Sequence, residues 1–185
     1  GELQGVAGDY FSTPNVVTTW GELDVRARAT VDSVNTGYGF LADKFNVFYL
    51  AVTAPQNLIL KYYTAIGTLT ATVAIPNFTL GVRSWYRATL DTSTGVINLY
   101  VADGNLESPT SSDWVNINTT NQTVSPLNVN SSQFVVGAFG PSLATYPFDG
   151  DIYRSQVFNE IDGTTPVVDF TAGSYVSGST LVSST

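Results

Sequence analysis

Glu22 and Asp24 stand two residues apart, with Arg26 two further on, in the run Glu22-Leu23-Asp24-Val25-Arg26. Side chains on an extended strand alternate between faces, so this spacing puts all three on one face. Two carboxylates side by side could act as acid and base on a glycosidic bond. Arg26 is never an acid at neutral pH, and the competing reading is a charged outer face on which arginines pair with carboxylates across strands. A second set of candidates is Asp149 and Asp151, joined by Asp43, Asp103 or Asp113 from other turns. Such hard oxygen ligands suit calcium, the one cofactor the sequence leaves open; turn aspartates also cap backbone N–H groups as a matter of routine. The third set is aromatic. Trp114, Tyr146 and Phe148 lie in loop-like sequence, with Asp113 beside Trp114 and Asp149 close to Tyr146. A flat ring stacks on the apolar C–H face of a sugar while a neighbouring carboxylate reads its hydroxyls. The alternative for these rings is packing at the ends of the fold or in a subunit contact. Trp20 and Trp85 each adjoin a strand start and are expected to pack.

Composition removes several classes of function. The chain has no histidine and no cysteine, which excludes Ser-His-Asp and Cys-His mechanisms within it, disulfides and thiolate metal sites. Seven cationic against fifteen acidic residues give a net charge of −8, with Lys44 and Lys61 the only lysines. Gripping a phosphate backbone needs the opposite balance, so nucleic acid is excluded as a partner, and anionic membrane surfaces are disfavoured. No apolar run approaches the roughly 18 residues of a membrane helix, and no membrane insertion is expected. Charged residues make up only 12%, about half the usual share, so solubility rests on Ser, Thr and Asn. The chain begins at Gly1 and contains no methionine, as expected for a processed product or a piece of a longer polypeptide.

No segment keeps an apolar 3.6-residue period, so no helix longer than about two turns is expected. Period-two stretches recur instead. Leu23, Val25, Ala27, Ala29 and Val31 share one face and Asp24, Arg26, Arg28 and Thr30 the other, the pattern of a half-buried strand with one wet side. Residues 37–64 predict two or three strands broken at Asn46 and at 54–57, and 68–75 continue the meander. Residues 84–101 predict a hairpin turning at Asp91-Thr92-Ser93-Thr94-Gly95, with Gly95 suited to a positive φ. A loop-rich stretch over 103–132 holds a short strand at 114–117, and 133–139 is another strand. Alternation slips between Ile152 and Tyr153, a bulge signal. Short strands at even spacing, punctuated by Gly, Pro and Asn, predict an all-β sandwich of two antiparallel sheets, about six strands each. The sandwich is expected over 1–170, with a Ser/Thr/Gly-rich tail or linker over 171–185. Ligand contacts are expected on loops at one end, because polar strand faces built from short residues offer little concavity.

Two segments carry a resemblance. Gly8-Asp9-Tyr10-Phe11-Ser12-Thr13-Pro14 followed by residues 22–31 forms the front half. Asp149-Gly150-Asp151-Ile152-Tyr153-Arg154-Ser155-Gln156-Val157-Phe158, then Ile161-Asp162-Gly163 and Val167-Val168-Asp169-Phe170, forms the rear half. This pair, and the hairpin Trp85-Tyr86-Arg87-Ala88-Thr89-Leu90 with Val96-Ile97-Asn98-Leu99-Tyr100-Val101, resembles the concanavalin A-like lectin/glucanase domains (laminin-G-like jelly rolls) found in minor tail and other virion-surface proteins of tailed bacteriophages. The resemblance runs from about Gly8 to Phe170 and implies a jelly-roll winding of the sandwich. Retaining glucanases of this fold carry an acidic triplet at i, i+2 and i+4 of one strand. Glu22 and Asp24 match the first two places and Arg26 breaks the third, so the resemblance implies no enzyme. It implies a virion-surface, hence extracellular, module for decoration or adhesion. Its partners would be other virion proteins, copies of itself (trimer first) and a host-surface glycan. A secreted bacterial carbohydrate-binding domain and a purely structural virion component are the alternatives. The expected ligand-binding residues are Trp114, Asp113, Tyr146 and Asp149, with Asp149 and Asp151 the calcium candidates.

Overall fold

Apolar alternation over 22–31 produces the long strand on which the rest is built. The computed structural model describes residues 3–4, 10–13, 19–33, 37–139, 148–172 and 180–182. The first strands are β1 (Leu3–Gln4), β2 (Tyr10–Ser12) and β3 (Glu22–Val31). A meander follows through β4 (Tyr38–Lys44), β5 (Phe48–Thr53), β6 (Asn57–Thr64) and β7 (Gly67–Ala74). Its turns fall where expected, with Asn46 and Gln56 at positive φ. The hairpin pairs β8 (Arg83–Asp91) with β9 (Val96–Asp103), and Gly95 takes φ +75° as its turn requires. Then come β10 (Val115–Asn121), β11 (Phe134–Val136), β12 (Gly150–Phe158), β13 (Val168–Thr171) and β14 (Thr180–Val182).

Among the described residues all pairing is antiparallel and falls into two seven-stranded sheets, where the sequence predicts about six strands each. Sheet A runs β1-β12-β3-β8-β9-β10, with β13 also on β12; sheet B runs β14-β2-β11-β4-β5-β6-β7. No helix occurs among the described residues. The register shift between Ile152 and Arg154 is the bulge that the broken alternation signals. Two expectations need correction. The strand predicted at 114–117 starts one residue later and extends to Asn121, because Asn118 to Asn121 continue to pair with β9 past a register shift. The segment expected as a tail contributes β14, whose Thr180–Val182 pairs with Tyr10–Ser12: an extended Thr-Leu-Val run satisfies its backbone best on an open sheet edge.

The core lies between the sheets. Leu23, Val25, Ala27, Ala29 and Val31 of β3 pack with Tyr86, Ala88 and Leu90 of β8 and Ile97 and Leu99 of β9. They face Phe48, Leu50, Val52, Leu58, Leu60 and Tyr62 of sheet B. Trp20 meets Phe48 edge-on at 5.6 Å, and Phe148, from the aromatics expected in loops, is core as well, its ring filling the space above Gly39.

A candidate ligand-binding groove on sheet A

The outward face of sheet A carries every arginine of the chain: Arg26 and Arg28 on β3, Arg83 and Arg87 on β8, Arg154 on β12. Register brings them together. Gln156, Arg26, Arg87 and Tyr100 form one row across β12, β3, β8 and β9. Arg154, Arg28 and Trp85 form the next. These are long side chains, not short ones, and the wet face expected on β3 is covered: Asp24, Arg28 and Thr30 are all buried. The cover comes from the loops 104–114 and 159–167, and both are tied down by the charged residues of the sheet.

The first loop leaves β9 at Gly104, whose backbone presses on Arg83; an added Cβ would sit 2.2 Å from the Arg83 carbonyl oxygen. Arg28 Nε donates to the Gly104 carbonyl at 2.8 Å and Arg28 Nη1 to Glu107 at 2.9 Å. Trp85 Nε1 donates to the Leu106 carbonyl at 2.8 Å, and Arg154 Nη1 to Ser108 Oγ at 3.1 Å. The second loop rests on the two candidate catalytic carboxylates. Glu22 accepts the Ile161 backbone N–H at 2.7 Å and Asp24 that of Asp162 at 3.1 Å. Asp24 also accepts two hydrogen bonds from Arg26, at 3.1 and 2.6 Å, and two from Arg87, at 2.9 and 2.7 Å. Arg87 Nη2 reaches on to Asp162 at 2.6 Å. Burial works against the charge on Arg87, yet its hydrogen bonds and attraction to Asp24, then to Asp162, outweigh that and raise its pKa above the ordinary arginine value. Asp24 is wholly enclosed, so it is a structural clamp of the cross-strand Arg–carboxylate kind.

Between the loops lies a groove of about 620 Å³. Arg26, Trp85, Arg154, Gln156 and Phe158 line its floor, Ser108, Pro109, Ser111 and Trp114 one wall, and Asp162, Gly163 and Thr164 the other. Concavity on a strand face corrects the expectation that it would be lacking there; walls supplied by distant loops create it. Arg26 stacks 4.2 Å over the Phe158 ring. Its Nε and Nη2 are turned to Asp24, while Nη1 has no hydrogen-bond partner among the described residues. Gln156 gives its amide N–H to Asp169 at 3.2 Å, leaving its oxygen to accept.

Of the three expected site residues that are described, only Trp114 lies in the groove. Trp114 is in the groove, half-buried and edge-on to Trp85 at 6.1 Å and Tyr100 at 6.5 Å. Asp113 is turned back to close its own turn, accepting from the Thr110 hydroxyl and backbone N–H, each at 2.7 Å, which holds its pKa below the usual carboxylate value. Asp149 accepts from Ser33, and Tyr146 lies outside the described residues. Asp151 accepts from the Tyr153 hydroxyl at 3.3 Å and Asp103 caps Asn105. Among the described residues no three acidic side chains converge as a metal site would need. Sequence reasoning missed Arg154, Gln156, Phe158 and Asp162. The available signal was that four of the five arginines, Arg26, Arg28, Arg87 and Arg154, fall within strand-like sequence on its polar side.

The outward face of sheet B is aromatic. Phe40, Tyr49, Ala51 and Ile59 are buried there, with the partly buried Phe139 packed against them, and Tyr38 stacks on Phe40 at 5.7 Å. A shallow cleft of about 170 Å³ lies among Tyr38, Phe40, Tyr49, Lys61, Tyr63 and Phe139.

No family model matches the chain, and no curated protein matches it. Solved structures do. The native heptameric SAP-like pentraxin of Limulus polyphemus aligns at 15% identity and a TM-score of 0.57, over 86% of this chain and 75% of that one. The CBM40 module of Ruminococcus gnavus IT-sialidase, solved with α2,3-sialyllactose, aligns at 13% identity and a TM-score of 0.57, over 80% and 91%. The enzymatically active domain of bacteriophage CBA120 tailspike protein 2 aligns at 11% identity and a TM-score of 0.56, over 84% of this chain and 24% of that one. At such identities the likeness is one of fold, and the fold is the concanavalin A-like jelly-roll sandwich.

Proposed function

We propose that this chain is a non-enzymatic glycan-binding module displayed on the surface of a tailed-phage particle, and that the sheet A groove holds the sugar. The observation that carries the reading is the groove itself, which the Trp114 indole lines together with Arg26, Gln156 and Asp162. The ring offers an apolar platform; the guanidinium N–H groups and the amide and carboxylate oxygens meet hydroxyls, and a volume of about 620 Å³ is in the range of small-ligand sites. Of the sequence candidates this reading keeps Trp114 and adds Arg26, Arg154, Gln156 and Asp162. Support for a glycan comes from the sialyllactose-bound structural neighbour, and for a phage setting from the resemblance in sequence pattern and the tailspike neighbour. A secreted bacterial carbohydrate-binding module would use the same groove. The absence of catalysis in this reading follows from Asp24, whose carboxylate is saturated by two arginines and a backbone N–H, leaving no acid–base pair. We also propose self-association, trimer first, through the sheet B face around the part-exposed Tyr38, Tyr63 and Phe139, where a shallow cleft opens.

The test is a glycan array probed with the parent, Trp114→Ala and Arg26→Gln, each confirmed as folded by thermal melt. Both variants should lose at least about tenfold in binding, the scale of a lost stacking or charge-assisted contact. Undiminished attachment by both folded variants would remove the groove from the reading.

A further inference from the structure

We infer that the groove selects an uncharged saccharide over a carboxylated one. This deepens the glycan-binding reading and rests on it. Three cations stand in or directly beneath the groove, Arg26, Arg87 and Arg154, and each already has a carboxylate. Arg26 and Arg87 share Asp24, Arg87 also holds Asp162, and Arg154 forks onto Asp169 at 3.2 and 3.0 Å. Three positive charges meet three negative ones. The site is therefore neutral, in a molecule whose net charge is −8.

A sugar carboxylate entering such a site gains no unpaired cation. It gives up part of its hydration and sits in the negative field of the surrounding protein, which the charge count makes repulsive. Asp162 makes this local: its side chain is 65% exposed on the groove wall, so one carboxylate already faces the ligand. A neutral sugar meets none of this. Its hydroxyls both donate and accept, and the groove presents both kinds of partner, with Arg26 Nη1 to donate and Gln156 Oε1 and Asp162 to accept. The paired arginines act as fixed donors held in place by their own counter-ions, which suits shape and hydroxyl recognition.

The experiment compares glycans matched in backbone and differing by one carboxylated residue, on an array and by titration calorimetry at about 20 and 150 mM salt, using the parent and Asp162→Asn. Asparagine keeps an oxygen for Arg87 while removing the negative charge. The parent should prefer the neutral partner by about fivefold or more, with affinity for it little changed by salt. Asp162→Asn should narrow the gap by about threefold at low salt, the size of one charge at a partly exposed site. Tighter binding of the carboxylated partner by the parent would overturn the selectivity and leave the glycan-binding reading standing. Binding of neither partner, with no other glycan retained on the array, would overturn both.

Discussion

Asp24 shows how one residue can look catalytic in sequence and be structural in space. Its carboxylate is shared by Arg26 and Arg87 and caps the 159–167 loop. Removing one partner of a buried charge cluster leaves the other uncompensated. Asp24→Ala is expected to cost about 3–5 kcal/mol, while Glu22→Gln, which keeps an oxygen for the Ile161 N–H, should cost about 1 kcal/mol or less. Urea denaturation of both decides this, and equal losses would contradict the clamp. Lys44 makes a second prediction. Burial lowers its pKa from 10.5 to about 8, opposed by the attraction of Asp43. The folded state then sheds the proton before the unfolded state does, so the cost of burying the charge is full below about pH 8 and is relieved as pH rises toward 10.5. Relative to Lys44→Met, the parent should gain on the order of 1 kcal/mol between pH 7.5 and 9.5. Denaturation curves at the two pH values that shift in parallel for both proteins would refute it. At this scale the common face of Glu22, Asp24 and Arg26 was legible, since period two alone puts them on one side of the strand. The partners were not: Arg87 lies 63 residues from Asp24, and the Ile161 N–H 139 residues from Glu22.

The elements were the most legible level, because alternation and turn chemistry are local. Strand positions in the meander, the hairpin and the bulge in β12 all follow from spacings of a few residues. Gly95 illustrates how tightly such local choices are enforced: at φ +75°, an added Cβ would lie 2.1 Å from the Gln122 carbonyl oxygen, against the edge where β10 pairs with β9. Gly95→Ala is expected to destabilise by about 3 kcal/mol, combining strain with displaced backbone. Gly67→Ala, at φ +128° with nothing within 4 Å of the added Cβ, should cost only the strain, about 1 kcal/mol. Thermal melts of the two variants rank them, and a larger loss at Gly67 would reverse the account. What spacing did not reveal was the roof over sheet A. It depends on hydrogen bonds such as Arg28 to Gly104, 76 residues apart, and no local pattern encodes a loop's return across a strand face.

At the scale of the whole molecule, the two sheet faces divide the work. Sheet A turns arginines and a groove outward, sheet B a largely packed aromatic layer with a shallow cleft beside Tyr38. Self-association through sheet B would leave the grooves open, so oligomerisation is expected to multiply glycan attachment without altering single-site affinity. Light scattering on the parent and on Phe139→Ser, paired with monovalent-sugar titration, tests this; a monodisperse monomer well above micromolar concentration would count against it for the isolated chain. A far-UV circular dichroism spectrum should be β-dominated, and strong helical minima would contradict the fold. The groove wall has one more implication, for engineering. Its anchors, Gly104, Leu106 and Ser108, are held by the sheet, whereas the tip closes on itself through Thr110 and Asp113. Residues 109–113 thus form a self-contained cassette on a fixed mount, and exchanging them should redirect which sugar is recognised while the melting temperature stays within a few degrees of the parent.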